Sequence, residues 1–410
     1  MTVVLSAFYV ANYPEGGGHF WEYMQFVQGL RQIGCDVYWL ESLQGRHKAV
    51  PNAEKIALFA ERMERYGMGG KFILYENRRT ESGEVKRDYV GISASEAEAV
   101  FRRADLLLNF HYRIDPALLS MFRRTALVDF DPGLLQTWMS TGQMVVAPHD
   151  VYLTTGETVG TPGARIPDCG ISWRHIRPLV SLEHWPVAPC RDSEAFSTVS
   201  AWWTYDWLKD EKGNLYDNNK RVSFLEFLEL PRFTPQALEL ALYFGESAQD
   251  AADRKLLESH GWRIRHSLEV ARTPEMYQAY IQQSRGEFSC AKPSCMKFQG
   301  AWVSVRTLCY LASGKPVVVQ HTGPSSYLPN GLGMFRFSTL EEAVSAFEAI
   351  HSDYERHSRA AREIAEAYFD SKRVAREILD CALSRPSVDG HTQDRESGLG
   401  EGKPANLVPG

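Results

Sequence analysis

The chain has little of what would mark a specialised class. Its seven cysteines, at 35, 169, 190, 290, 295, 309 and 381, are scattered. Only Cys290 and Cys295 stand close, with no second pair or histidine at ligand spacing, which argues against a structural zinc or a disulfide framework. No stretch approaches the uninterrupted apolar length of a membrane span, and residues 1–10 lack a basic start, so a cytoplasmic protein is expected. There is no long basic run, and 45 Lys and Arg against 51 Asp and Glu leave a net charge of −6. That balance argues against nucleic acid as the main partner. What remains, 44% apolar and 23% charged residues over 410 positions, is a globular composition on a chain long enough for two domains.

The most informative stretch is GEFSCAKPSCMKFQGAWVSVRTLCYLASGKPVVVQHTG, Gly286 to Gly323. It parses as a buried strand (Glu287–Ala291), a glycine-punctuated loop, a helix capped near Ser304, and a strand (Pro316–Gln320) ending in His321-Thr322-Gly323. Such a unit belongs to a parallel sheet, whose loops at the carboxyl ends of strands face ligand. The helix amino terminus offers free N–H groups and Arg306 adds a charge one turn in, so a phosphate is the natural occupant.

The chain opens on a similar unit. Residues 2–10 form an apolar run, Gly16-Gly17-Gly18-His19 follows, and Phe20, Tyr23, Val27 and Leu30 share one helical face until Gly34. A strand is predicted at Asp36–Glu41. The consecutive glycines and the early Glu41 do not fit the dinucleotide fingerprint. Further strands are expected at Leu106–Phe110, Ala126–Phe130 and Val151–Thr155, followed by polar residues that include His111, Asp131 and Glu157. A Pro- and Gly-rich linker spans about 160–195, with a charged connection earlier at 76–90. Beyond it come a strand at Phe196–Trp202, helices near 235–245 and 247–260, a strand at Trp262–Arg265 and a helix at Pro274–Ser284. Helical, charged segments follow at 339–350 and 352–384. The expected class is α/β, two doubly wound domains facing across a cleft.

The segment SCAKPSCMKFQGAWVSVRTLCYLASGKPVVVQHTG is similar to the donor-binding half of GT-B glycosyltransferases, and residues 15–33 resemble the first turn of the acceptor domain in that superfamily. The resemblance implies a Rossmann-like acceptor domain (1–190) and a Rossmann-like donor domain (195–350). It also implies helices (351–384) that cross back to the first domain; the Gly-, Ser- and Asp-rich tail (385–410) is expected to be disordered from its composition. It further implies sugar transfer from a nucleotide-diphosphate sugar, with no cofactor and no bound metal. One position departs from the pattern: Cys309 stands where many retaining members carry the glutamate that binds the ribose diol, and a thiol cannot replace a bidentate carboxylate. Either the ribose is held elsewhere or the donor differs, so the stereochemistry stays open.

Glycosyl transfer needs a stabilised leaving diphosphate and, in an inverting reaction, a base. For the diphosphate the candidates are Arg306 and the N–H groups near Ser304, with Lys292, Lys297, His321, Thr322 and Gly323 contributing. Gly17 and Gly18 would let the donor approach, or simply permit a tight turn. Trp202, in a tryptophan cluster with 203 and 207, stacks on the base or belongs to the core. For the base, His19 resembles the catalytic histidine of inverting GT-B enzymes, and a helix amino terminus would keep it neutral. Asp129 and Asp131 orient it or act as bases themselves. His111 and Glu157 are candidates for the acceptor. The aromatics Phe8, Tyr9 and Tyr13 permit a flat small-molecule acceptor such as an antibiotic aglycone or a nucleoside. The expectation is a glycosyltransferase, monomer or homodimer; the alternatives are a nucleotide-sugar epimerase of the same fold or a degenerate binding protein.

Overall fold

In the first half of the chain, short strands buried on both faces build a largely parallel sheet, as their near-continuous apolar runs require. The computed structural model describes residues 1–43, 53–79, 85–189, 195–204, 208–209, 213 and 215–384. Cys190, Trp207 and the expected tail at 385–410 lie outside these. The strands are β1 (Thr2–Ala7), β2 (Asp36–Ser42), β3 (Phe72–Arg79), β4 (Val85–Val90), β5 (Leu106–Asn109), β6 (Thr125–Asp129), β7 (Val151–Thr154) and β8 (Trp173–His175). They lie in the order β4-β3-β2-β1-β5-β6-β7-β8. All neighbours are parallel except β3 and β4, an antiparallel pair where the sequence suggested only a charged connection.

The second sheet is parallel throughout. It comprises β9 (Ala195–Ala201), β12 (Ala237–Tyr243), β13 (Arg263–His266), β14 (Gly286–Ser289), β15 (Val317–Gln320) and β16 (Met334–Phe337), ordered β13-β12-β9-β14-β15-β16. Between β9 and β12, the two-residue strands β10 (Leu208–Lys209) and β11 (Leu215–Tyr216) pair only with each other. The helix expected near 235–245 is in fact β12. Leu238, Leu240 and Leu242 alternate into one core cluster while Ala241 faces the other, a period of two that outweighs the helix propensity of Ala-Leu-Glu-Leu-Ala-Leu. In both sheets the strand order reverses once, between β1 and β5 and between β9 and β14. These are the switch points where loops diverge and leave a crevice.

The two sheets are locked together by the helix Gly17–Gln32. It packs on the second-domain helices Pro274–Gln283 and Val305–Ala312, and the final helix Ser371–Leu383 lies along its flank. One apolar core therefore runs through both halves, with Val3, Met24, Tyr277, Leu308 and Val374 in a single cluster. The final helix follows Tyr354–Ile364 after one π-helical turn at Ala365–Phe369, and Asp370 forms an isolated parallel bridge with Val180. Among the described residues no helix is long and apolar enough to cross a membrane.

The close approach explains the glycines. A Cβ on Gly17 would sit 2.2 Å from the Thr273 carbonyl oxygen, and one on Gly18 would sit 2.8 Å from the Tyr277 ring. Trp21 Nε1 donates to the Pro274 carbonyl at 3.0 Å. Gly17 and Gly18 thus face the second domain's helix start, which fills the space where a diphosphate was expected to approach. Gly17→Ala should therefore cost about 1–3 kcal/mol, as overpacking against backbone does. Urea unfolding measures this; an unchanged midpoint would show that the domains do not close in this way.

Candidate functional site

The crevice at the β9/β14 switch point gathers three cations. Arg306 is the second residue of the helix Val305–Ala312, whose N-cap is Ser304, with Oγ accepting from Arg306 N at 3.3 Å. Its guanidinium is committed to the protein. Nε donates to Glu287 Oε1 at 2.7 Å, Nη1 to the Val199 carbonyl at 2.9 Å and Nη2 to Ser289 Oγ at 2.5 Å. Glu287 is fully buried in β14, and removing the counter-charge of a buried, ion-paired carboxylate is costly. The expected phosphate ligand is therefore a buried strut joining β9 to β14. Burial opposes its charge, but Glu287 outweighs burial and raises its pKa.

Lys220 takes the position that Arg306 leaves. It opens the short helix Lys220–Glu226 after β9, is 8% exposed, and has no hydrogen-bond acceptor among the described residues. Burial pushes its pKa down to about 7, helped by the neighbouring charges of Arg306 and Lys292 and opposed by Glu287. Lys292, in the loop after β14, reaches across the domain boundary to Asp131 Oδ2 at 2.6 Å. Lys297 is exposed, with its ammonium 3.9 Å from the Tyr216 ring centroid.

A separate small pocket at the carboxyl ends of β14 and β15 is lined by Ser289, Ala291, Trp302, Ser304, Gln320 and Arg336. Its floor is held by the turn at 321–323. Thr322 Oγ1 donates to the Trp302 carbonyl at 2.6 Å, and a Cβ on Gly323 would lie 2.2 Å from the Gln299 carbonyl oxygen. Thr322 and Gly323 thus shape the loop 299–302, where Gln299 and Ala301 adopt positive φ. Trp302 Nε1 in turn donates to the Phe130 carbonyl of the first domain at 3.0 Å. His321 is partly exposed, and burial followed by Arg336 lowers its pKa.

Several first-domain residues stand differently from expectation. Both ring nitrogens of His19 face acceptors, Nδ1 the Glu22 carboxylate and Nε2 the Phe8 carbonyl, each at 2.8 Å. Burial works against its charge, but Glu22 and the carbonyl outweigh it and raise the pKa. With the ring held between two acceptors, its charged form is favoured over the neutral base expected at a helix start. Asp129 is fully buried and accepts from Gln136 Nε2 at 2.7 Å, Thr154 Oγ1 at 2.9 Å and Tyr112 at 3.0 Å. Burial lifts its pKa to about 6, yet no face is open to a substrate.

Glu157, expected at the acceptor, accepts instead from Ser325 Oγ at 2.5 Å and Ser326 N at 2.6 Å, a second tie between domains. Trp202 is fully buried, stacked with Phe224 and bonded to Asp253 at 2.9 Å; it belongs to the core. Cys309 is buried, and its sulfur accepts from Gln25 Nε2 of the first helix at 3.5 Å, so this position packs the interface. His111 stacks on Phe8 with ring centroids 4.9 Å apart. Among the described residues no cluster of His, Cys, Asp and Glu could hold a metal ion.

Lys220 is the residue that the sequence did not single out. The polar run Tyr216–Arg221 suits a binding loop and a surface turn equally. Only burial against Arg306 and Lys292 separates the two.

No family model matches the sequence, and no curated protein matches it. Solved structures do. An α-glucosyltransferase in complex with UDP-glucose and DNA containing an abasic site superposes with a TM-score of 0.59 at 11% identity, over 94% of this chain and 100% of that one. HepE of Anabaena, in complex with UDP and glucose, gives 0.55 at 11%, over 93% and 98%. Sucrose-phosphate synthase of Thermosynechococcus elongatus gives 0.51 at 11%, over 92% and 97%. At these identities the likeness speaks for architecture, and the architecture is the GT-B fold.

Removing Arg306 alone should strand a buried carboxylate, so Arg306→Ala is expected to cost about 3–5 kcal/mol. Adding Glu287→Gln should recover much of that in denaturant unfolding. No recovery would show that the pair is not a strut.

Proposed function

We propose that the protein is a glycosyltransferase that takes a sugar from a nucleotide-diphosphate sugar held at the β9/β14 crevice. The acceptor would lie in the first domain. Uridine nucleotides are the first candidates, because two of the similar structures hold UDP or UDP-glucose. The observation that carries the reading is Lys220: a nearly buried lysine with no acceptor among the described residues, at a switch point, beside Lys292 and the amino terminus of the Val305–Ala312 helix. An unpaired buried charge is costly, and a diphosphate would supply the missing partner.

The chemistry follows from the placement. The acceptor oxygen bonds to the sugar's anomeric carbon as the bond from that carbon to the diphosphate breaks. Lys220 and Lys292 stabilise the charge gathering on the leaving group. Of the three expected bases, Asp131 is the one tied to this cluster, through Lys292, and it takes the acceptor's proton in an inverting reaction. His19 is held near the first switch point by Glu22 and the Phe8 carbonyl.

Titration calorimetry with UDP tests this reading. Lys220→Met should weaken UDP binding at least roughly tenfold, the worth of a charged hydrogen bond. The pH dependence has a definite sign. With a pKa of about 7 in the free protein, Lys220 is already charged below that pH and must take up a proton to bind above it. Wild-type affinity should therefore fall above pH 7, by up to about tenfold per unit, with proton uptake seen in buffers of different ionisation enthalpy. The same depressed pKa destabilises the nucleotide-free fold fully below about pH 7, an effect that fades as pH rises toward the ordinary lysine value. Lys220→Met should accordingly be more stable than wild type at pH 6. Equal UDP affinity in the two proteins would overturn the reading.

A further inference from the structure

The first domain's switch point lies between β1 and β5, and the loops that leave it carry a row of aromatic rings that the donor site does not use. Phe8 and Tyr9 follow β1 and His111 follows β5, so rings cluster at the carboxyl ends of these two strands. His111 stacks on Phe8 at 4.9 Å, Tyr9 lies 5.9 Å beyond Phe8, and Tyr13 stacks 6.5 Å beyond Tyr9. All four are partly exposed, whereas the neighbouring Phe20, Trp21 and Tyr23 are core residues. Sequence alone cannot separate the two groups.

The row is held rigidly, and at some strain. Tyr9 adopts φ +67°, a region that a bulky residue occupies only when its surroundings enforce it. The enforcing contacts come from β2. Glu41 accepts from Ala11 N at 2.7 Å, and Asn12 Nδ2 donates to the Ser42 carbonyl at 3.0 Å, pinning the loop between Tyr9 and Tyr13. Tyr243 and Arg272 of the second domain stand close enough to Tyr13 to influence its ionisation, so the far end of the row meets the cleft.

The surrounding charge is mixed. Glu15 and Glu22 are partly exposed, and Arg113 and Arg272 oppose them. Burial and Arg113 hold the His111 pKa near 4, so that ring is neutral at ordinary pH. Nothing here forms the continuous positive groove that a nucleic acid or other polyanion requires.

Resting on the glycosyltransferase reading above, we propose that this row is the acceptor subsite and that it takes an uncharged, hydroxyl-bearing ring lying flat on Tyr9 and Tyr13. The ring is a sugar residue or an aromatic aglycone, which present the same flat apolar face to the tyrosines. Its reacting hydroxyl points toward the second domain.

Saturation-transfer NMR on the full chain, with methyl β-glucoside and phenyl β-glucoside as probes and UDP present, tests this. Saturation of the methyl glucoside ring identifies the sugar as the element recognised, and saturation confined to the phenyl ring identifies the aglycone; both support the subsite. Tyr9→Gly, which relieves the backbone as it removes the ring, and Tyr13→Ala should each weaken the bound probe roughly five- to tenfold. UDP affinity, measured by calorimetry on the same samples, should stay within about twofold of wild type, since a single charged contact alone is worth more than that. Absence of saturation in both probes, insensitivity to both variants, or displacement of the glucoside by a single-stranded oligonucleotide would overturn the subsite. Failure of UDP to bind wild type, with glucoside binding intact, would instead remove the donor reading and leave the ring subsite standing.

Discussion

Unequal pairing of buried charge organises the second domain. Three cations converge where its strand order reverses, and among the described residues two of them pair with a carboxylate. Glu287 claims Arg306 and Asp131 claims Lys292, each within 2.7 Å, while Lys220 is nearly buried with no acceptor among the described residues. Desolvation lowers the pKa of such a group, and the fold is less stable for it at neutral pH. Proteins keep arrangements of that kind where a ligand completes them. Pairing Arg306 with Glu287 also fixes the β9/β14 edge, so the loops bearing Lys220 and Lys292 leave a rigid base.

The closed arrangement of the domains sets where the two substrates meet. The Gly17–Gln32 helix approaches the second domain so closely that only hydrogen fits at Gly17, and Gln25 reaches Cys309 across the boundary. Cys309 therefore packs the interface at the very position where the resemblance would place a ribose carboxylate. Lys292 with Asp131, Trp302 with the Phe130 carbonyl and Glu157 with Ser325 add polar ties around the same cleft.

Much of this was legible in the sequence. The unit from Gly286 to Gln320, the helix capped at Ser304 and the opening βαβ unit follow from apolar period, capping chemistry and glycine placement. The strand β12 was hidden because Ala, Leu and Glu favour helix; its alternation shows only once flanking strands supply two apolar faces. Arg306 drew attention as a charge at a helix start. Its true role was written in Glu287, a carboxylate inside a buried strand that had to find a cation. His19 carries a similar signal three residues on, in Glu22, whose carboxylate favours the charged ring over the presumed neutral base. Lys220 has no such local mark, since its character depends on what closes over it.

Direct observation of the Lys220 ammonium probes that charge imbalance without relying on turnover. Carbon-13 NMR of the lysine ε-methylenes, assigned with Lys220→Met, follows its protonation with and without UDP. The apparent pKa should lie near 7 in the free protein and rise toward the ordinary lysine value when UDP is bound. An ordinary pKa in the free protein, or a low one that UDP leaves unmoved, would contradict the assignment of Lys220 to the donor diphosphate.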